Sequence, residues 1–374
     1  MQRRLFAFIV GGLLASTSIA HAQNAPAMPA SPAATPAAAP LAFSRPLAPI
    51  NAYAQTAQMG RGMNILGGDP YWNDDSQAHF KFGDFAKLHQ AGFATVRIVT
   101  TPFEHMDGNN QLDPGWLARL DRVVNGALAA GIDPIVDLHY NRECNTELKA
   151  CQTRVIAFWQ QVAPRYRNAP NRVIFEILNE PHDPVLTPAV WNTLLAQALA
   201  VIRETNPTRN VIIGPAEWNG MNELKNLVLP ADDPHIIVTF HYYLPMQFTH
   251  QGASWVDFTK NLSGVTWGTP QDRQKVYQDF ATAKAWSEAN HRPLFLGEFG
   301  AYDRGDIESR MRWTYCVART AEAEGFPWAY WQFEGNFVAF DVDRDDWFQP
   351  ILMALIPPHS DTGAGAAPAA ATMQ

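Results

Sequence analysis

The chain has 374 residues, a formal net charge of −8 at pH 7 and three cysteines. An acidic chain without blocks of lysine or arginine is a poor candidate for binding nucleic acid or an anionic membrane surface. A neutral partner fits this composition better.

The amino-terminal residues have the pattern of an export signal. Two arginines precede an apolar stretch, and an Ala-His-Ala sequence that ends at position 22 forms a small-residue cleavage site. We therefore predict a signal peptide over 1–22 and a protein that is exported to the periplasm or to the medium.

The segments that flank the central region are rich in alanine and proline. The stretch 23–50 is predicted to be a linker or disordered arm, and 358–374 to be a disordered tail. The catalytic domain is predicted to occupy 51–357 as one unit, which is a normal length for a barrel with insertions. No other segment is apolar for long enough to cross a bilayer, so we predict no membrane anchor. We also predict that the protein is a monomer.

Short apolar strand patterns alternate with amphipathic helical patterns along this domain. The predicted strands lie at 61–67, 94–100, 133–140, 172–180, 210–218, 235–243, 293–300 and 327–334. Predicted helices between them include 114–130, 154–168, 188–205, 272–290 and 306–324. Eight such strands predict an α/β fold, a closed (β/α)8 TIM barrel. A doubly wound open sheet is the alternative, but the phosphate-binding turn G-x-G-x-x-G is missing after the first strand.

In such a barrel the chemistry lies at the carboxyl ends of the strands. These ends carry polar or aromatic groups in every case, in the order Asn64, Arg97, His139, Asn179 with Glu180, Glu217 with Trp218, His241 with Tyr243, Glu298, and Trp331. We therefore predict a polar site at this rim of the barrel.

Glu180 and Glu298 end the fourth and seventh strands and are predicted to face each other across the rim. Two facing carboxylates are the minimum equipment for glycoside hydrolysis. The alternative is that each glutamate caps a following helix or pairs with an arginine. Glu180 would tend to keep its proton beside a second negative charge, which suits an acid, and Tyr243 could donate a hydrogen bond to Glu298.

The neighbouring strand ends offer supporting groups. Arg97 and His139 can hold the two carboxylates by hydrogen bonds, and Asn179 can bond a sugar 2-hydroxyl. Trp331 offers a flat apolar face on which a pyranose ring can stack. Glu217 is a rival carboxylate, which we expect to bond a sugar hydroxyl or an arginine.

This ordered set of residues, with Asn179-Glu180-Pro181 and His241-x-Tyr243 within it, resembles glycoside hydrolase family 5, the cellulase-type retaining enzymes. The resemblance runs from about Gly60 to Glu334. It implies that Glu180 is the acid and base, that Glu298 is the nucleophile, and that the mechanism is double displacement with retention.

The substrate is predicted from aromatic residues in the loops. Trp218 lies at a strand end, and further tryptophans fall in predicted loops, namely Trp72, Trp255, Trp267 and Trp347. Each of them either lines a cleft that suits a β-1,4-glucan or packs at the rim of the barrel. We predict a secreted endo-β-1,4-glucanase. The alternatives are a β-mannanase or another β-glycanase of the same fold, and a non-catalytic barrel that binds glycans.

Cys144 and Cys151 bracket a short polar loop and either form a disulfide or remain two thiols, while Cys316 is expected to be a buried free thiol. We expect no metal and no other cofactor. No CxxC pair is present, no H-x-H follows the first strand and no lysine ends a strand.

Overall fold

The computed structural model describes residues 48–139 and 142–358. The predicted signal peptide, the predicted linker up to residue 47 and the predicted tail from residue 359 lie outside the described residues. Within the described part of the chain, no helix combines the length and the apolar character that crossing a bilayer requires.

Eight parallel strands close into a barrel in which each strand pairs with the next along the chain and the last pairs with the first. The predicted (β/α)8 barrel is therefore confirmed. The strands are β1 Arg61–Ile65, β2 Thr95–Thr100, β3 Asp133–Leu138, β4 Ile174–Glu176, β5 Val211–Ile213, β6 Ile236–His241, β7 Leu294–Glu298 and β8 Trp328–Tyr330.

The helices between the strands start at defined capping residues. Asp113, Thr187 and Thr269 each accept a hydrogen bond from a backbone N–H of the first turn, and proline follows each of them. The helices of the described chain are α1 Ala52–Met59, α2 Asp84–Ala91, α3 Pro114–Ala129, α4 Leu148–Arg165, α5 Pro188–Thr205, α6 Ala216–Asn219, α7 Met246–Thr249, α8 Pro270–Asn290, α9 Ile307–Ala323 and α10 Gln349–Leu355.

The interior of the barrel is built in layers, because alternate residues of each strand point inwards. One apolar layer contains an isoleucine from each of β3, β4, β5 and β6, and Ala52 and Met59 of α1 belong to the same cluster. Two residues further along β3 and β4, the inward positions hold Asp137 and Glu176, which have no exposed surface. A charged layer thus lies above the apolar one, towards the carboxyl ends of the strands.

Most predicted strands are longer than the observed ones, and at the fourth and fifth strands the difference determines where the site lies. The fourth strand ends at Glu176 and the fifth at Ile213. Beyond these ends the backbone adopts positive φ, 44° at Glu180 and 56° at Glu217, which an extended strand does not accommodate. Both glutamates are therefore held on loops just above the barrel rather than on its strands.

A disulfide joins Cys144 to Cys151, with 4.5 Å between the two Cα atoms. Helix α4 begins at Leu148 rather than at the predicted 154, and Cys151 lies buried in its first turns. Cys316 is a buried free thiol in α9, as predicted.

Replacing both bridged cysteines by serine should lower the free energy of unfolding by about 2 kcal/mol, because a cross-link over a short loop restricts the unfolded chain. Urea unfolding with and without a thiol reductant measures this change. The reductant should destabilise the wild-type protein and leave the double serine variant unchanged. Equal stability of the oxidised wild type and the variant would contradict a stabilising bridge.

Candidate active site

Arg97 on β2 lies at the centre of the charged layer, and its side chain has no exposed surface. Nε and Nη2 donate to the two oxygens of Glu176 at 2.7 and 2.9 Å. Nη2 lies 3.0 Å from Asp137 Oδ2, and Nη1 donates to Glu298 Oε1 at 2.7 Å. A buried guanidinium is tolerated only when it is paired in this way. One cation therefore holds carboxylates from β3, β4 and β7, and Asp137 and Glu176 are the paired carboxylates that their mid-strand positions predict.

Two asparagines complete the hydrogen bonding of this guanidinium. Arg97 Nη1 donates to Asn64 Oδ1 at 3.0 Å, and Nη2 donates to Asn179 Oδ1 at 2.7 Å. Since Asn179 immediately precedes Glu180, this contact fixes the chain where it leaves the fourth strand.

Glu298 ends β7 and receives one hydrogen bond on each carboxylate oxygen. Arg97 donates to Oε1, and Tyr243 Oη donates to Oε2 at 2.9 Å. The preceding Gly297 is required by close packing, because a Cβ there would lie 2.5 Å from Thr239 Oγ1 and 3.0 Å from His241 Nε2. The carboxylate is therefore held in one orientation from two sides, and Tyr243 donates to it as predicted.

Glu180 lies above β4, and its side chain is 26% exposed. His241 Nδ1 is 2.7 Å from Glu180 Oε1 and 3.6 Å from Glu298 Oε2. Burial raises the pKa of Glu180 to about 6. Carboxylate oxygens of Glu180 and Glu298 lie within 4.8 Å of each other, with the His241 ring nitrogen beside both. The two glutamates face each other across the mouth of the barrel.

His139 and Trp331 form one wall of this mouth. The two rings stack, with centroids 5.2 Å apart and planes inclined by 11°. His139 Nδ1 lies 2.6 Å from Asp137 Oδ2, so the histidine is held from the charged layer below, and it is 4.0 Å from Glu298 Oε1. Burial lowers the pKa of His139 to about 4, so the ring is neutral near pH 7.

Glu217 and Trp218 lie in a left-handed turn, with φ of 56° and 58°. Glu217 Oε1 accepts a long hydrogen bond of 3.4 Å from Asp183 N and makes no ion pair with a residue whose side chain is described. Trp218 is 50% exposed and stacks on His182, with ring centroids 4.4 Å apart. The turn thus leaves an exposed aromatic ring against His182, two residues after Glu180 in the chain.

Two of the tryptophans proposed for the cleft take the alternative role of packing inside the protein. Trp72 and Trp267 are only 1% and 3% exposed, because their rings pack in the main core, and Trp72 Nε1 donates to Val99 O. Trp347 is partly buried and stacks on Phe93. Trp255 is 54% exposed and remains a candidate surface for a ligand.

The sequence analysis missed His182 and Asn219. His182 Nδ1 bonds the backbone oxygen of Glu180 at 2.7 Å, and Asn219 Nδ2 lies 3.3 Å from His241 Nε2. Each residue directly follows a segment that was singled out, Glu180-Pro181 or Glu217-Trp218. Their positions next to these segments in the chain are the sequence feature that could have identified them as site residues.

Two groups of histidine and carboxylate atoms within the described residues are close enough to hold a metal ion. One consists of Glu180, His241 and Glu298, whose atoms already make the contacts given above. In the other, Asp69 accepts three backbone N–H bonds and Glu334 bonds His79, so its members hold together the loops that follow β1 and β8.

The fold and the site together define a class of protein. A (β/α)8 barrel that presents two facing carboxylates, one on the loop after its fourth strand and one at the end of its seventh, beside the stacked rings of His139 and Trp331, has the equipment of a glycoside hydrolase. A family model described as Cellulase (glycosyl hydrolase family 5) matches residues 55–337. The chain belongs to this family.

Relatives and solved structures agree with this assignment. Endoglucanase H of Acetivibrio thermocellus is 32% identical over 302 residues, which is 79% of this chain and 31% of that protein. The chain thus spans about a third of that relative. Endoglucanase C of the same organism is 26% identical over 338 residues, covering 79% of this chain and 97% of that one. The structure of Thermotoga maritima Cel5A in complex with cellobiose is 38% identical, with a TM-score of 0.78, and the match covers 82% of this chain and all of that one.

Proposed function

We propose that the protein is a retaining endo-β-1,4-glucanase in which Glu180 is the general acid and base and Glu298 is the nucleophile. The observation that carries this proposal is that one carboxylate oxygen of Glu180 and one of Glu298 lie within 4.8 Å of each other across the barrel mouth. Retaining enzymes hold their carboxyl groups about 5 Å apart, whereas inverting enzymes leave about 6.5–9.5 Å for a water molecule.

The first step forms a covalent intermediate. An oxygen of Glu298 attacks the anomeric carbon of the sugar, the glycosidic C–O bond breaks, and Glu180 gives its proton to the departing oxygen. Arg97 and Tyr243 orient the attacking carboxylate through their hydrogen bonds. In the second step Glu180 removes a proton from water, the water oxygen bonds the anomeric carbon, and Glu298 leaves as a carboxylate.

The remaining site residues support binding of the sugar. Asn179 uses its Oδ1 to accept from Arg97, and its Nδ2 donates to none of the described residues, so this amide is available to a sugar 2-hydroxyl. Trp331, stacked on His139, and the half-exposed Trp218 offer ring faces on which a sugar can stack. Glu217, which has a single long hydrogen bond among the described residues, is assigned to a sugar hydroxyl.

The relatives support β-1,4-glucan as the substrate, since those described above are endoglucanases. A second candidate is a β-mannan, because Thermotoga maritima Cel5A, at 37% identity, has also been solved in complex with mannotriose. We further propose that the protein is exported, on the basis of its amino-terminal signal pattern.

The proposal is tested with soluble β-1,4-glucan, mixed-linkage glucan, xyloglucan and mannan as substrates. We expect the fastest hydrolysis on a β-1,4-glucan, oligosaccharide fragments from internal cleavage, and a β-anomer as the first product seen by NMR. Faster cleavage of mannan would favour the second candidate. An α-anomer would contradict retention, and tight binding without hydrolysis of any glycan would indicate the non-catalytic barrel.

The pH dependence of kcat/KM should follow the protonation state of Glu180. Since the acid must be protonated and burial raises the pKa of Glu180 to about 6, kcat/KM on glucan should fall as the pH rises through about 6. Glu180→Gln cannot protonate the leaving group, so its rate on glucan should be lower by about 10²- to 10⁴-fold. An aryl glycoside with an acidic phenol as leaving group should form the intermediate at nearly the wild-type rate. Persistence of the same alkaline limb in Glu180→Gln would assign it to another group.

A further inference from the structure

Asn219 lies fully buried at the mouth of the barrel, between β5 and β6. It is the third of three consecutive residues with positive φ, after Glu217 and Trp218, and its own φ is 54°. Such a conformation costs about 1–2 kcal/mol per residue for most side chains, and asparagine tolerates it best among those that are not glycine. The next residue, Gly220, pairs with His241 in a parallel bridge. The strained turn therefore delivers Asn219 beside the ring of His241.

The contact between these side chains has a direction. Asn219 Nδ2 lies 3.3 Å from His241 Nε2, and an amide nitrogen can only donate. His241 Nε2 is then the acceptor, and the single proton of the neutral ring lies on Nδ1. Gly214 packs directly against this amide, and a Cβ there would lie 2.1 Å from Asn219 Oδ1, so only glycine leaves space for the Asn219 side chain on that side.

The opposite edge of the ring favours the same tautomer. His241 Nδ1 faces Glu180 Oε1 at 2.7 Å and Glu298 Oε2 at 3.6 Å, and two carboxylate oxygens attract a ring N–H more than a ring lone pair. Burial lowers the pKa of His241 to about 4, so the ring is neutral near pH 7 and the position of its one proton matters.

We propose that Asn219 is a positioning residue that keeps the proton of His241 on Nδ1 and thereby directs the acid proton of Glu180 to Oε2. This inference rests on the proposed function of Glu180. With Nδ1 donating to Glu180 Oε1, that oxygen is an acceptor, and the acid proton resides on Oε2, which has no partner among the described residues. Oε2 can then donate to the glycosidic oxygen. In the other tautomer the bare Nδ1 would accept the acid proton of Glu180 and withhold it from the substrate.

Charged and titratable groups from several elements face this pair, and none of them needs to change for the proposal to hold. Around Glu180 and His241 they are Arg97, Asp137, His139, Glu176, His182, Tyr243 and Glu298. The proposal alters only the group that touches Nε2. A substitution at Asn219 therefore changes the tautomer without removing any of these side chains.

Asn219→Asp is the sharpest test, because aspartate also tolerates positive φ but its carboxylate only accepts hydrogen bonds. The new carboxylate should favour the tautomer of His241 with its proton on Nε2 and should thereby hinder proton transfer from Glu180 to the glycosidic oxygen. We expect the rate on glucan to fall by roughly 10²-fold, the scale of general acid catalysis. The rate of intermediate formation from an activated aryl cellobioside should fall less than about threefold on the same basis, because that leaving group needs no proton. The alkaline limb of kcat/KM on glucan should move to higher pH, because a bare Nδ1 that accepts the acid proton and the added carboxylate both favour the protonated form of Glu180.

Asn219→Gly removes the side chain without backbone strain. Its rate on glucan should fall less than that of Asn219→Asp, and the fall should again be larger on glucan than on the activated aryl cellobioside. Asn290→Asp, at the exposed end of α8, is the control for the added charge and should match the wild type. Equal losses on glucan and aryl cellobioside, or unchanged pH profiles in both variants, would overturn the proposal.

The tautomer can also be read without any substrate. In protein labelled with 15N-histidine, the ring nitrogens of His241, assigned by their absence in His241→Asn, should show a protonated Nδ1 and an unprotonated Nε2. Asn219→Asp should protonate Nε2. If the wild type hydrolyses no glycan but shows this tautomer, the proposed function fails and the structural part of the inference stands. A wild-type ring protonated on Nε2 alone overturns the inference itself.

Discussion

Glu298→Ala should abolish hydrolysis of glucan, with a loss of roughly 10⁴-fold or more in kcat, because removal of a nucleophile leaves only binding and electrostatic effects. The substitution also leaves space beside Arg97 and Tyr243, which donate to the carboxylate in the wild-type protein. Azide should enter this space and restore cleavage of an activated aryl cellobioside. Since azide then attacks directly and only once, the product should be an α-glycosyl azide.

The control is Glu288→Gln near the end of α8, where the side chain is 68% exposed and far from the strand ends. It should retain the wild-type rate. Residual activity of Glu298→Ala near that of the wild type would show that the nucleophile lies elsewhere. Rescue that yields a β-glycosyl azide would contradict a direct displacement at the position of the missing carboxylate.

Arg97→Met should have the largest effect on stability. The guanidinium is fully buried among Asp137, Glu176 and Glu298, and its removal leaves carboxylates inside the barrel without a counter-charge. Breaking a buried ion pair from one side costs about 3–5 kcal/mol. Urea unfolding followed by fluorescence should show a loss of this size, and activity should also fall because Glu298 loses a donor.

Arg61→Met is the matched control, because Arg61 lies on the neighbouring strand and its ion pair with Glu322 is about 30% exposed on both sides. The loss there should stay below about 1 kcal/mol. Arg97→Lys keeps the charge but not the several directed contacts, so its stability should lie between those of the wild type and Arg97→Met. If Arg97→Met costs no more than Arg61→Met, the charged layer does not depend on Arg97.

The fold was predictable because each barrel strand is a short apolar run and each is followed by a helical pattern. That repetition identifies a parallel barrel, and the barrel itself brings residues at the strand ends to one rim. The positions of Glu180 and Glu298 on the same rim follow from this topology. The tyrosine donor to Glu298 also follows, because Tyr243 comes two residues after the adjacent strand end.

The loops were less predictable. Trp72 and Trp267 fall in loop segments like Trp255, yet they are buried, because the loops fold back over the barrel and only their tertiary packing decides which ring faces water. The direction of Glu217 and Trp218 likewise depends on two positive φ angles that no short sequence pattern announces.

The sequence by itself determined the barrel, the order of its strands and the pair of glutamates at its mouth, since hydrophobic periodicity and chain order are local properties. The tertiary structure decided which side chains of the site hydrogen-bond to each other. Arg97 and Glu298 are 201 positions apart, and the ring of His241 meets Asn219 and Glu180 from different loops. Hydrogen bonds depend on distances of a few tenths of an ångström between such residues. Only the folded chain sets these distances, and they fix where each proton of the site resides.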